Sequence, residues 1–581
     1  MFKPTHSSFN CLFKRKPYLY TKQNLLDINF LNKQEPCTCY QSHYVFSEPS
    51  YANIELEFDD FKQLAIDSGE FVFDHETEYT YNLHHPGNKA FRDPYIKEAL
   101  KEYDAPLYYD ISDRNKTPKP GRMYASLLQY TFPMMKRPSK KEHYFWNCLE
   151  QSINHVFKNF DKAQPCTAEQ IMYSMPKNTS TGWLALKHYK KAVKKEDMMP
   201  IIRSEYYNQF NKIAKKQPVN DYTMLAMRGH LSERVKNKTR AIWLVSATTI
   251  ISELKYFNPF YKQLAEKQFF TKRIIHGKRS MLRLRRFMTK SEDYRLINTD
   301  ISGWDSFRAR WFHEMIMKKL SHYIDFQSYE QRLEYNFCMQ QALNSKILFP
   351  DGSVFRKRCG FISGTAGTLL INTLLNMILT YTVLKMMNLV DFEFNMNKIE
   401  DENWLGDDFA FYIWKSLTFD IDKYKALVFK YFDLVVKPEK VIIADNINDR
   451  KYLGYQLKGG LLFKEEKDLF ASLLFCERFF KIGEEYLAIS FSRFFSYLLI
   501  GGINNYSFLN FFYYYMGKYK ERLKKIKYIY NPGTDNIFKL IKDVWNINIP
   551  VFNIDTFRNM NLELLKYVLL YEADLTIDSL I

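Results

Sequence analysis

Trp404-Leu405-Gly406-Asp407-Asp408-Phe409-Ala410-Phe411-Tyr412-Ile413 is the stretch on which the reading of this chain turns. Apolar residues run up to a glycine and two adjacent carboxylates, then resume. The pattern predicts two short strands joined by a tight turn at Gly406-Asp407-Asp408. Glycine suits such a turn because it adopts backbone angles that other residues resist. The apolar flanks bury the hairpin and leave both aspartates at its tip. Carboxylates this close repel and raise each other's pKa. A divalent cation removes that penalty, so the pair suits a metal site. Asp-Asp is common in ordinary turns, and on this stretch alone an ordinary hairpin turn is the favoured reading.

Upstream lies a second acidic strand end. Tyr294 to Asp300 reads as a strand, followed by Ile301-Ser302-Gly303-Trp304-Asp305 and a helix from Phe307 to Tyr323. Asp305 is placed to cap that helix. Between the two acidic stretches, the small-residue loop Gly360 to Thr368 runs into an apolar helix, Leu369 to Met387. Thr368, Asn372 and Asn376 are four apart and share one face of it. Polar side chains on a buried helix need partners, either neighbouring backbone or a sugar hydroxyl. The helix is interrupted by Asn372, Thr373 and Asn376, which favours burial over a membrane span. Beyond the hairpin, Asp422 to Phe432 reads as a helix, Leu434 to Val441 as a turn into a strand, and Lys451 to Leu457 as a second hairpin.

Further upstream the charge is positive. Lys236, Lys238 and Arg240 alternate on a strand, so they point to one face. Such a face is either a triphosphate clamp or a sheet edge protected by charge. Asn258-Pro259 then reads as a break. Residues 175–183, a polar loop with Thr179, Ser180 and Gly182, precede Lys187, Lys190, Lys191, Lys194 and Lys195. This loop can hold a phosphate backbone or simply begin a helix with a solvated lysine face. Residues 140–165 read as a helix. Asp93-Pro94-Tyr95 starts another through Tyr103, with proline at its first position.

Composition sets the class. The chain has 581 residues with 46% hydrophobic and 17% aromatic content, including 42 Tyr and 48 Phe, which excludes a disordered protein and calls for several subdomains. A formal charge of +18 suggests a polyanionic partner. The 8 cysteines show no framework spacing, which argues for a reducing compartment. Cys37, Cys39 and His43 begin a zinc-like cluster that nothing nearby completes. The N-terminus has no apolar signal core. From about residue 461 onward the pattern is helical and very aromatic, with a basic helix from Lys518 to Lys527.

In this order these stretches resemble viral RNA-dependent RNA polymerases. Asp300 and Asp305 look like the family's motif A. Ser363-Gly364, Thr368, Asn372 and Asn376 look like motif B, and Gly406-Asp407-Asp408 like motif C. Lys440 falls where motif D carries a lysine, and Tyr452-Leu453-Gly454-Tyr455 looks like motif E. Lys238-Thr239-Arg240 resembles motif F, and Thr179-Ser180-Thr181-Gly182 motif G. Gly-Asp-Asp alone is weak; the motifs in conjunction and in native order are specific. Lys-Thr-Arg-Ala-Ile-Trp, followed by Glu253 and Pro259, looks most like the partitivirus and picobirnavirus group of double-stranded RNA viruses. Partitivirus-like motifs often carry aspartate where Asn372 stands.

The resemblance implies an α+β right-hand fold: a small antiparallel palm sheet backed by helices, fingers, and a helical thumb. It implies an N-terminal extension over residues 1–120 packing on fingers and thumb, fingers over 121–290, palm over 291–460 with a fingers insertion near 324–350, and thumb over 461–581. The expected activity is template-directed RNA synthesis from nucleoside triphosphates, replicating and transcribing a viral RNA genome. Asp300, Asp407 and Asp408 would hold two Mg²⁺, with Mn²⁺ as the substitute, and Asp408 the weaker ligand. Lys236, Lys238 and Arg240 would grip the triphosphate, and Lys440 would protonate pyrophosphate. Asp305, Ser363, Thr368 and Asn372 would surround the nucleotide, and Thr179, Ser180, Gly182 and Gly364 would touch RNA. Capsid protein is the further partner implied, and the virion interior or host cytoplasm the location. The rivals are a reverse transcriptase-like palm and a non-catalytic RNA-binding or capsid-associated protein.

Overall fold

The computed structural model describes residues 55–83, 91–115, 117–177, 179–191, 193–233, 238–274, 280–358, 360–392, 396–476 and 482–524. Cys37, Cys39, His43, Lys236 and the end of the basic run at Lys527 lie outside them. At the centre is a four-stranded antiparallel sheet of β1 (Tyr294–Thr299), β2 (Ile399–Leu405), β3 (Asp408–Trp414) and β4 (Ile442–Ala444), in the order β2-β3-β1-β4. The predicted hairpin is β2 and β3. Side chains alternate across a strand, and here both faces are covered. Phe409, Phe411 and Ile413 enter the main core, whereas Ala410 and Tyr412 enter a second one with Phe287, Leu296 and Tyr452. That two-sided burial is why β3 reads as a continuous apolar run.

The main core is built with α1 (His143–Phe157), α2 (Ala247–Glu266), α3 (Thr368–Met386) and α4 (Ile421–Phe432). α3 packs against both α1 and α4. Among the described residues it is the one helix long and apolar enough to cross a membrane, and the surrounding protein buries it.

Four local expectations change. Pro259 lies inside α2 rather than ending it. Proline removes the N–H that would bond the carbonyl four residues earlier, and Cys166 N–H donates to that Lys255 carbonyl instead, at 2.8 Å. Asp305 sits in a 3₁₀ turn, Trp304–Ser306, and the following helix starts only at Arg310, capped by no side chain. The helix expected over 140–165 stops at Phe157. The second hairpin lies later than expected, with Gln456–Lys458 pairing with Leu461–Phe463, while Tyr452 and Tyr455 close only a tight turn.

A separate five-stranded sheet runs in the order Phe71–Glu76, Ser353–Lys357, Lys346–Leu348, Thr223–His230, Lys238–Leu244. Its first strand brings the early part of the chain onto the body. The helix Pro94–Tyr103 joins the C-terminal helices instead. Asp93, fully buried, caps it by accepting from the N–H groups of Tyr95 and Ile96, and its other oxygen accepts from the largely buried Arg493 at 2.8 Å. Around that pair Phe491, Phe494, Phe508, Phe511, Phe512 and Tyr515 form an aromatic core.

Candidate active site

Strand register places the acidic residues. Thr299, the last residue of β1, pairs with Phe409, so Asp300 emerges beside Asp408. Leu405 pairs with Asp408 across the turn, where Gly406 has φ +62°. Nothing but Leu369, 3.8 Å away, would meet a Cβ there, so the positive φ is what calls for glycine.

The turn is held from below by α3. Asn376 Nδ2 donates to the carbonyls of Gly406 (3.1 Å) and Asp407 (2.8 Å). The Gly406 N–H donates to Thr373 Oγ1 at 3.0 Å. From the other side the buried Tyr452 hydroxyl reaches the Asn403 carbonyl at 3.2 Å and the Asp408 carbonyl at 3.4 Å. Backbone groups of a polar turn on an apolar sheet are thereby paired, which fixes where the two carboxylates stand.

Electrostatics join residues far apart in the chain. Asp407 and Asp408 remain open to solvent but stand in a concavity with protein on most sides. Burial is the first cause pushing Asp408 up to about 6, followed by the charges of Asp407 and Asp300. Burial and then Asp300 raise Asp407, against Arg240 and Lys437. Burial and then Asp407 raise Asp305, against Arg240 and Lys357. Lys440 Nζ hydrogen-bonds Asp300, and Lys437 Nζ lies 3.9 Å from the same carboxylate. Lys437 also donates its N–H to the Asp300 carbonyl at 2.9 Å. Asp300, Asp305, Asp407, Asp408, Arg240 and Lys440 therefore share one site.

Among the described residues no three carboxylate, imidazole or thiolate groups close around a metal-sized point. Asp300 is turned to Lys440 instead. The donor set still fits a hard divalent cation: all oxygen, with three carboxyl pKa values raised by burial first and by neighbouring carboxylates after it. A carboxyl raised on folding binds protons more tightly in the folded state. Stability thus falls as pH climbs from the ordinary carboxylate range to about 6, and the deficit is complete above it. Asp408→Asn is expected to raise the melting temperature at pH 7.5 without divalent cation. Mg²⁺ should raise it for the natural protein at pH 7.5 and much less at pH 4.5. Differential scanning calorimetry at both pH values checks this.

The loop before α3 reaches the same site. Phe361 N–H donates to the Asp305 carbonyl at 3.1 Å. Gly364 lies so close to Trp243 that a Cβ would stand 1.9 Å from its carbonyl oxygen. Ser363 is half-buried. The Thr368 hydroxyl is taken up by the carbonyls of Ile362 and Thr365, so it closes the loop. Asn372 is 6% exposed, and among the described residues its Oδ1 has no partner. The helical face predicted for Thr368, Asn372 and Asn376 thus splits into three jobs, and only Asn372 keeps an unmet acceptor.

Lys238 and Arg240 are exposed around the buried Thr239, on a strand that forms the edge of its sheet. In the 175–183 loop, Thr179 Oγ1 donates to the Pro176 carbonyl and accepts from Lys195, and Ser180 Oγ accepts from the Gly182 N–H. Gly182, at φ +67°, backs onto Val245 and Ser246. These groups shape the loop, and Lys177, Lys190 and Lys191 are exposed along it. Sequence reasoning missed Thr373, Tyr452 as a clamp, and Lys437. Thr373 was findable: it stands three before Asn376, on the adjoining helical row.

Carboxylates gathered beside a cationic strand suit the handling of a triphosphate, the chemistry of nucleotidyl-transferring polymerases. The family described as viral RNA-dependent RNA polymerase matches residues 72–482, and the chain belongs to it. It is an enzyme of template-directed RNA synthesis, with RNA and nucleoside triphosphates as substrates. The crystal structure of the RNA-dependent RNA polymerase of a human picobirnavirus is similar, with a TM-score of 0.54 at 14% identity, over 81% of this chain and 94% of that one. An insertion-loop deletion mutant of such a polymerase gives 0.52 at 12% identity, over 81% and 92%. At these identities the likeness is one of fold. No curated protein matches the chain.

Proposed function

We propose that the four-stranded sheet with α1, α3 and α4 is the palm, the five-stranded sheet with α2 the fingers, and the helices from Glu466 the thumb. The segments 55–83 and 91–115 then bridge fingers and thumb from outside. The observation that carries the site is the mutual influence of Asp300, Asp407 and Asp408 with Arg240, from three separate stretches of chain.

Asp300 and Asp407, with Asp408 beside them, would hold two Mg²⁺ ions. Bound there, they would supply acidity to a primer 3′-hydroxyl and offset the charge of pyrophosphate. Arg240 and Lys238 draw the triphosphate onto the acidic floor. Lys440 carries a proton at Nζ next to the reacting groups and is positioned by Asp300. Lys440→Leu is expected to slow single-turnover incorporation by ~10²–10⁴-fold without abolishing it.

Asp305, Ser363 and Asn372 read the ribose. The unmet Oδ1 of Asn372 is the acceptor that a 2′-hydroxyl satisfies, and a deoxynucleotide leaves it unpaired. Asn372→Ala is expected to narrow the preference for ribonucleotides, measured by competitive incorporation. Capsid protein and a virion interior complete the reading as the expected partner and place. The test of the whole is incorporation of labelled ribonucleotides on an RNA template with Mg²⁺, lost in Asp300→Asn. Template-independent incorporation, or none, rejects it.

A further inference from the structure

α2 carries no residue assigned above to substrate, yet it grips the loop of Ser363 on both sides of one residue, Ala366. Glu253 Oε2 accepts from the Ala366 N–H at 2.6 Å. Tyr261 donates its hydroxyl to the Ala366 carbonyl at 2.8 Å and accepts from the Leu370 N–H at 3.2 Å. The N–H and the carbonyl of one residue, in two successive peptide groups, are thus held by two side chains of one helix. Gly367 lies against Phe257 of the same helix, where a Cβ would stand 2.6 Å from the ring. Glu253 is fully buried, and among the described residues its Oε1 has no partner.

The same helix is anchored at its start to the other loop. Ala247 N–H donates to the Thr181 carbonyl at 3.2 Å. Buried Asp221 accepts from Trp183 Nε1 at 2.5 Å and from the Thr249 hydroxyl. α2 is therefore a rigid strut with one loop at each station.

We propose that Glu253 and Tyr261 are positioning residues that set the Ala366 peptide, and with it the height of Ser363 and Asn372 against the ribose. This rests on the ribose-reading role given to Asn372 above. The argument is geometric. Ala366 stands three residues after Ser363 and two before the start of α3, so a shift of its peptide moves the loop and the first turns of α3 together. A buried carboxyl is a costly way to hold one N–H, because serine, asparagine or a main-chain carbonyl accepts as well at less desolvation. Burial holds Glu253 at about 8, so near neutral pH it is an uncharged acid. Glutamine copies that form, and alanine does not.

The experiment uses the full chain in four versions: natural, Glu253→Ala, Glu253→Gln and Tyr261→Phe. Hydrogen exchange is followed on peptides spanning 360–370, and ribonucleotide against deoxynucleotide incorporation is measured on one template. Exchange should rise in Glu253→Ala and Tyr261→Phe and stay near natural in Glu253→Gln. The ribose preference should narrow by about tenfold in the same two variants, a fraction of what hydroxyl-reading sites reach. Unchanged exchange in Glu253→Ala and Tyr261→Phe overturns the latch. So does a glutamine variant as defective as alanine. Tyr261→Phe keeps the ring and guards against a Glu253→Ala chain that does not fold. Raised exchange with an intact ribose preference overturns the proposed effect on sugar reading, while an intact preference in Asn372→Ala places the failure in the role of Asn372 itself.

Discussion

Asp407→Asn is expected to lower templated RNA synthesis by at least ~10³-fold, equivalent to about 4 kcal/mol of barrier, while RNA affinity is retained. The substitution is isosteric, and the Asp407 carbonyl stays on Asn376, so the turn keeps its shape. What disappears is a charge. Asp407 contributes to raising both Asp408 and Asp305, so its loss lets those carboxyls relax toward their ordinary range. The variant should therefore be inactive and at the same time more stable without divalent cation. A misfolded variant loses both properties together, which makes the combination diagnostic. RNA binding draws instead on the basic surfaces and should fall steeply with salt in both proteins. Primer extension, filter binding at two salt concentrations and thermal unfolding read the three effects. A variant that still extends primers removes Asp407 from the chemistry, and a natural protein that binds RNA without ever extending it favours the non-catalytic rival.

The site was largely legible because strand ends and helix faces are periodic. The hairpin, the strand ending at Asp300 and the helix from Thr368 each follow from spacing alone, and the seven-motif resemblance ordered them. What spacing does not encode is which polar group finds which partner. Thr368, Asn372 and Asn376 occupy one face as expected, but Thr368 bonds to a loop, Asn372 Oδ1 to nothing among the described residues, and Asn376 to the turn. Those choices depend on how far each side chain stands from the sheet, which is tertiary information. Pro259 was misleading for the same reason: a local rule ends a helix there, and a distant N–H from Cys166 restores the missing bond. Asp305 looked like a cap because it precedes a helical pattern, but Gly303 at φ +64° turns the chain before the helix begins. Glu253 carried no signal beyond its place in a motif, since a buried carboxyl holding a peptide has no periodicity.

The clamp beneath the turn has a sharper consequence than the ribose contact. Asn376→Ala is expected to slow single-turnover incorporation by ~10²-fold, the scale on which a misplacement of about 1 Å acts. Its amide is fully buried and supplies both hydrogen bonds from α3 to the carbonyls of Gly406 and Asp407. Each buried carbonyl left without a donor loses about 1–3 kcal/mol, and the turn regains freedom where the two carboxylates must be fixed. Asn376→Asp should be worse than alanine. An aspartate donates nothing to either carbonyl, and it sets another negative charge under Asp407 and Asp408, against the same repulsion that already raises their carboxyls. Thr373→Val removes only the acceptor for the Gly406 N–H and should fall between the natural protein and Asn376→Ala. The expected order, natural, Thr373→Val, Asn376→Ala, Asn376→Asp, applies to both incorporation rate and melting temperature. An Asn376→Asp variant that outperforms Asn376→Ala would mean that the amide is not what holds the turn, because no geometry lets a carboxylate replace a donor to two carbonyl oxygens.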